Sequence, residues 1–70
     1  MAIRKARLLR DVPTVYHKFK RGEAVEVRWT FTLCDPKRVV AEINDPVESG
    51  VTHLIYEDMI EYIDNLNLNS

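Results

Sequence analysis

Within residues 23–33, the chain alternates between apolar and polar types without a break from Val25 onward, and this alternation constrains the fold more than any other feature of the sequence. The apolar positions are Val25, Val27, Trp29, Phe31 and Leu33. A period of two residues is typical of a β-strand with one buried face, and valine and aromatic residues favour strands. We therefore predict a long strand that places Trp29 in the core.

Two further strands are predicted after this one. A proline-containing turn at residues 34–37 leads into a return strand at residues 38–44. In that strand the small Ala41 is expected to face Trp29, because protein interiors are closely packed. Asp-Pro and Ser-Gly pairs then mark a second turn, and a short strand is predicted at residues 51–56.

The two ends of the chain complete the set of elements. Residues 6–10 are predicted to form a first strand, and Gly22 marks a tight turn before the long strand because glycine permits a positive φ. Residues 56–66 carry apolar side chains at helical spacing. They fit either a helix or a single helical turn at residues 57–59 with a short strand after it, and the order of the other elements favours the turn and strand.

This order of elements resembles that of an SH3-like small β-barrel from Ala6 to Ile63. Residues 6–11 (Ala-Arg-Leu-Leu-Arg-Asp) are similar to its first strand, residues 19–23 to its diverging turn, and residues 55–63 to its closing 3₁₀ turn and last strand. The resemblance implies a mostly-β fold, a five-stranded small barrel with a short helical turn near the C-terminus. The alternative is an α+β fold, in which an antiparallel sheet carries one C-terminal helix.

The resemblance does not imply that the chain binds proline-rich peptides. SH3 domains that do so hold a polyproline helix in a row of exposed aromatic side chains. Here Arg10 stands where those domains have a tyrosine, and no proline precedes Tyr56. Barrels of this shape in bacterial, phage and plasmid proteins instead bind protein or nucleic acid through other faces.

Length and composition exclude several classes of protein. A chain of 70 residues is one small domain, residues 1–70, and is too short for a two-domain enzyme with a deep cleft. Residues 65–70 are expected to be a frayed tail. Cys34 has no second cysteine to pair with, and neither a signal peptide nor about 18 consecutive apolar residues of a membrane span is present. We expect a cytoplasmic protein with no membrane partner.

The charges are divided unevenly along the chain. Residues 1–38 carry ten basic and four acidic side chains, a net charge of +6, whereas residues 39–70 carry seven acidic side chains and no basic one. The two halves are expected to complement each other in the fold, although such asymmetry is also typical of nucleic-acid binding. The candidate surface for a partner or a nucleic acid comprises Arg4, Lys5, Arg7, Arg10, Tyr16, Lys18, Lys20 and Arg21.

No pattern in the sequence indicates catalysis, a metal site or a cofactor. Cys34, His17 and His53 lack the spacing of zinc ligands, and no third group is suggested that would complete a nucleophile–base pair. We therefore predict a non-enzymatic protein-interaction or regulatory module with a protein partner and a weak tendency to form homo-oligomers. The alternative is a nucleic-acid-binding barrel that uses the basic cluster.

Overall fold

The computed structural model describes residues 3–64, so the predicted tail at residues 65–70 lies outside the described residues. Residues 3–64 form seven strands and one 3₁₀ turn. In chain order they are β1 (Arg4–Leu8), β2 (Val12–Pro13), β3 (Lys18–Phe19), β4 (Ala24–Cys34), β5 (Lys37–Asn44), β6 (Thr52–Tyr56), the 3₁₀ turn (Glu57–Met59) and β7 (Ile60–Tyr62).

Five of the strands form one antiparallel sheet in the order β6-β5-β4-β1-β7, and β2 pairs with β3 in a separate hairpin. The prediction of a mostly-β domain with a helical turn before a short last strand is confirmed. The alternative with a C-terminal helix is wrong, because Ile60 pairs with Leu8 of β1 as part of an extended strand. Within residues 3–64, β6 and β7 lie at the two edges of this sheet, and closure into a barrel stays a prediction.

One face of the sheet carries the core, and the β2–β3 hairpin packs against it through Phe19. The buried apolar side chains of this cluster are Ala6, Leu8, Phe19, Val25, Val27, Ala41, Ile43, Ile55 and Ile60. They come from every strand of the sheet and from β3. Burial of this one face is the main source of stability, since each large apolar side chain contributes about 1.5–3 kcal/mol when fully removed from water.

A β-bulge interrupts β4 between Val27 and Trp29 and overturns the predicted burial of Trp29. Val27 lies opposite Ile43, but Trp29 lies opposite Glu42, so Arg28 is the extra residue on the bulged strand. A bulge of this kind changes the face on which the following side chains lie. Trp29 therefore points away from the core and is 50% exposed.

The same shift decides what lies opposite Ala41. Its partner across the two strands is Thr30, and not Trp29 as the unbroken alternation predicted. Phe31 lies opposite Val40 on the outer face of the sheet. The bulge therefore separates β4 into a first half that supplies the core and a second half whose large apolar side chains lie outside it.

Replacing Trp29 should destabilise the domain less than replacing Val27. Trp29→Ala removes a side chain that is 50% exposed and is expected to lower the free energy of unfolding by about 1 kcal/mol, because only part of this side chain is removed from water. Val27→Ala removes two buried methyl groups and should cost about 2 kcal/mol. Urea denaturation followed by circular dichroism measures both changes. A loss of stability in Trp29→Ala as large as that in Val27→Ala would contradict the outward orientation of the indole.

Candidate functional site

The outer side of β4, β5 and β6 carries a patch of large apolar side chains, which we call the apolar face. It comprises Trp29, Phe31, Leu33, Val40, Leu54 and Tyr56. Leu54 is 61% exposed, and Leu33 and Tyr56 are 37% and 38% exposed. Contiguous apolar surface of this kind is uncommon on a monomeric domain and marks a site of interaction.

Strand register brings these side chains together in two rows. Phe31, Val40 and Tyr56 occupy one row across the three strands, and Trp29, Glu42 and Leu54 occupy a neighbouring row. Val40, at the centre, is covered by its neighbours and only 6% exposed. The first row and the two leucines border a shallow apolar groove of about 240 Å³, so an apolar side chain from a partner has a place to pack.

Two charged side chains border the apolar face at opposite ends of the β6 edge. The guanidinium carbon of Arg38 lies 3.5 Å from the centroid of the Tyr56 ring, and its Nη2 donates a hydrogen bond of 3.0 Å to Asp58. Glu42 accepts a hydrogen bond of 2.7 Å from the hydroxyl of Thr52. The face therefore has an apolar centre with one positive and one negative group at its border.

A larger concavity of about 330 Å³ lies at the other end of β4, beside Lys5, Glu26 and Asn44. Its polar groups already bind one another, because the Asn44 amide donates to Glu26 at 3.1 Å and the Lys5 ammonium lies 3.7 Å from the same carboxylate. A ligand there would have to replace these contacts. The apolar face needs no such exchange and is the better candidate.

The predicted basic surface is divided by the fold. Arg4 forms two hydrogen bonds of 2.9 and 3.1 Å with Asp64, and its guanidinium carbon lies 3.8 Å from the centroid of the Tyr62 ring. The Arg4 guanidinium holds the pKa of Asp64 below its usual range. Lys5 pairs with Glu26. Two of the seven predicted cations are thus matched by acids. The Arg4–Asp64 pair joins the two halves of the chain, as the complementary-halves interpretation expects, whereas Lys5 and Glu26 both belong to the basic half.

The remaining cations, Arg7, Arg10, Lys18, Lys20 and Arg21, are exposed and form no ion pair inside residues 3–64. The turn that carries Lys20 and Arg21 lies against the end of β1, since Gly22, with a φ of +89°, donates its N–H to the Leu8 carbonyl at 2.8 Å. Tyr16 is 55% exposed, and its ring lies 6.2 Å from that of His53.

Both histidines face carboxylates on either side of Phe19. His17 Nε2 lies 2.8 Å from Glu23 and His53 Nε2 lies 2.8 Å from Asp45, while the two imidazole rings contact the Phe19 ring edge-to-face. These pairs hold the β2–β3 hairpin on the core. Among residues 3–64, no three histidine, cysteine or acidic side chains are grouped as metal ligands.

The apolar face was missed at the sequence level, although one pattern indicates it. Residues 54–56 (Leu-Ile-Tyr) and 39–41 (Val-Val-Ala) are consecutive apolar runs within strands, and such runs are typical of strands that have apolar side chains on both faces. The bulge at Trp29 has no comparable pattern, because the alternation from residue 25 to residue 33 continues through it.

Acid should destabilise the domain through Asp45. Its side chain is fully buried beside His53, and hydrogen bonds from the Glu48 N–H, from His53 and from the Val47 N–H keep its pKa below the ordinary value despite desolvation. The resulting stabilisation is complete above about pH 5 and is lost as the pH falls through the lowered folded-state pKa. The free energy of unfolding is therefore expected to decline below about pH 4.

Asp45→Asn tests this origin of the pH dependence. The variant should be less stable than wild type at pH 7, and its stability should decline less steeply in acid, as measured by urea denaturation at pH 7, 5 and 3. Asp58→Asn, which removes a carboxylate whose side chain is 70% exposed, is the matched control and should follow the wild-type curve. Equal slopes in wild type and Asp45→Asn would contradict the assignment.

No family model, no curated protein and no solved structure matches the chain. Across residues 3–64, none of the helical structure is long and apolar enough to cross a membrane.

Proposed function

We propose that this chain is a non-enzymatic protein-interaction module that binds its partner through the apolar face. The observation that carries this proposal is the outward orientation of Trp29, beside Phe31 at a ring-centroid distance of 5.9 Å. An indole in this position lowers the solubility of the domain and does not stabilise its core. Tryptophan, tyrosine and arginine are the residues that most often dominate binding energy at interfaces, and all three occur at this face.

The chemistry of the face specifies the kind of surface that fits it. Phe31, Leu33 and Leu54 border the groove and favour aliphatic or aromatic side chains from the partner. Arg38 is only partly engaged by Asp58, since its guanidinium has five N–H donors, and it suits a carboxylate at the border of the partner. The partner is therefore a protein surface with an apolar centre and at least one acidic group.

We also propose an SH3-like barrel as the fold of the module and the cytoplasm as its location. The strand order β6-β5-β4-β1-β7, the separate β2–β3 hairpin and the 3₁₀ turn between β6 and β7 support the first proposal. The exposed free thiol of Cys34 supports the second, because a reducing compartment keeps such a thiol unpaired.

Nucleic-acid binding is the less favoured function. Phosphate binding requires several cations on one surface, and the fold commits Arg4 and Lys5 to Asp64 and Glu26. The apolar face in turn offers leucine side chains, Leu33 and Leu54, that have no role in holding a phosphate backbone. Substitution of Lys20 and Arg21 tests whether the cations of this turn contribute to binding.

Binding should depend on Trp29 and not on the basic turn. Immobilised wild-type chain is expected to retain a partner from a lysate of the source cells, and Trp29→Ala should weaken that binding at least about 30-fold, as for a central interface residue. Val15→Ala, which alters an apolar side chain that is 96% exposed on the hairpin, is the matched control. The affinity for the purified partner is measured by calorimetry.

The double variant Lys20→Ala/Arg21→Ala separates the two functions. It should bind the protein partner as wild type does. Two results together would overturn the proposal in favour of the nucleic-acid function. Retention would survive Trp29→Ala but be lost in the double variant, and the chain would bind random DNA or RNA in a salt-dependent manner.

A further inference from the structure

The edge of β6 next to the apolar face lacks the usual protection against pairing with another strand. Residues 52–56 (Thr-His-Leu-Ile-Tyr) contain no lysine, acidic residue or proline, and β6 pairs with β5 at all five positions without a bulge. Proteins normally protect edge strands with charges, prolines or bulges. The opposite edge, β7, is only three residues long and carries Glu61.

The register of β6 leaves a regular set of backbone groups at this edge. Asp45 donates its N–H to the Val51 carbonyl at 2.9 Å, so by the alternation of an antiparallel ladder His53 and Ile55 direct their hydrogen-bonding groups towards β5. Thr52, Leu54 and Tyr56 therefore direct theirs outward. Within residues 3–64, the Tyr56 carbonyl already accepts the first hydrogen bond of the 3₁₀ turn, because Tyr56 is the N-cap of that turn, so the outward groups available at this edge are those of Thr52 and Leu54 and the N–H of Tyr56.

These outward groups are arranged symmetrically about Leu54. If two copies of β6 pair antiparallel on a two-fold axis at Leu54, Leu54 meets Leu54 of the second copy and Thr52 meets Tyr56 of the second copy. The two Leu54 residues then exchange two backbone hydrogen bonds, and the Tyr56 N–H of each copy donates to the Thr52 carbonyl of the other. The Leu54 side chains, each 61% exposed in one copy, cover each other. Such an interface uses the same patch on both copies, as two-fold dimers do.

The charges at the border of the apolar face complement each other in this register. Arg38 lies over the Tyr56 ring at 3.5 Å, and Glu42 is held at Thr52 by a hydrogen bond of 2.7 Å. Because Tyr56 of one copy lies beside Thr52 of the other, Arg38 of each copy approaches Glu42 of the other. Directly opposed strand positions are about 4.5–5.5 Å apart, within reach of an arginine side chain.

We propose that the apolar face is extended in solution by a second copy of the chain, joined by antiparallel pairing of β6 with β6 on a two-fold axis at Leu54. The inference rests on the proposed use of this face in protein binding and names its first partner. The resulting sheet is continuous across both copies. The contact is small, and interfaces below about 1,200 Å² are weak, so the dimer forms at concentrations between about 10 μM and about 1 mM.

Charge exchange tests the register directly in the full chain. Arg38→Glu places two acidic groups at each border contact of a homodimer, and Glu42→Arg places two basic groups there, so each variant alone should sediment as a monomer at about 1 mM. An equimolar mixture of the two variants restores an acid–base pair at both contacts and should form a 1:1 dimer. Sedimentation equilibrium over the stated concentration range measures all three samples, with circular dichroism to show that each variant is folded.

A second pair of variants keeps the test independent of these charges. Leu54→Lys puts like charges on the two-fold axis and should abolish dimerisation, whereas Leu9→Lys, at an apolar side chain that is 47% exposed just after β1 and outside the apolar face, should leave the wild-type dimer intact. A wild-type chain that is monomeric at about 1 mM, an assembly larger than two, or a mixture that stays monomeric would overturn the inference.

The outcomes distinguish this inference from the proposed function. A monomeric wild-type chain that still binds its partner in a Trp29-dependent manner refutes the dimer and leaves the function standing. If the wild-type chain dimerises, Leu54→Lys abolishes the dimer, and no partner binds through Trp29, the results support the inferred dimer and refute the proposed function.

Discussion

The bulge between Val27 and Trp29 is the constraint on which the rest of the molecule depends. Before it, β4 contributes Val25 and Val27 to the core and pairs with β1. After it, the strand contributes its aromatic side chains to the outer face and pairs with β5 alone. A regular β4 would place the indole against Ala41 and remove Trp29, Phe31 and Leu33 from the apolar face. One inserted residue, Arg28, thus determines both the composition of the core and the surface offered to a partner.

Ion pairs between the two halves of the chain neutralise part of its uneven charge. Arg4 and Arg38, from the basic half, pair with Asp64 and Asp58 from the acidic half. Such exposed pairs contribute only about 0–1 kcal/mol each, so their importance lies in local neutralisation. Arg38 has a second role because it covers Tyr56. It therefore links the pairing of the two halves to the border of the apolar face.

Much of the fold was predictable because it follows from local patterns. The turn at Gly22 and the return strand through Ala41 and Ile43 follow from residue type and period. The period of residues 56–66 is helical, and the extended segment at Ile60 followed only from the order of the other elements. The bulge was not predictable, since Val27-Arg28-Trp29 has the same alternation in a regular strand and in a bulged one, and only the pairing with β5 distinguishes the two. The contribution of β4 to the apolar face was missed for the same reason. The pairing of Arg4 and Lys5 was missed because sequence proximity does not show which cations face an acid.

The position of the single tryptophan has a spectroscopic consequence. In most small domains the indole lies in the core, so its fluorescence reports folding. Here the only tryptophan of the chain lies half-exposed outside the core, and its emission depends mainly on what covers the outer face of the sheet. A blue shift in this emission therefore marks occupancy of that face, whereas unfolding changes the environment of the indole comparatively little. The natural chromophore of the chain is a reporter of binding more than of folding.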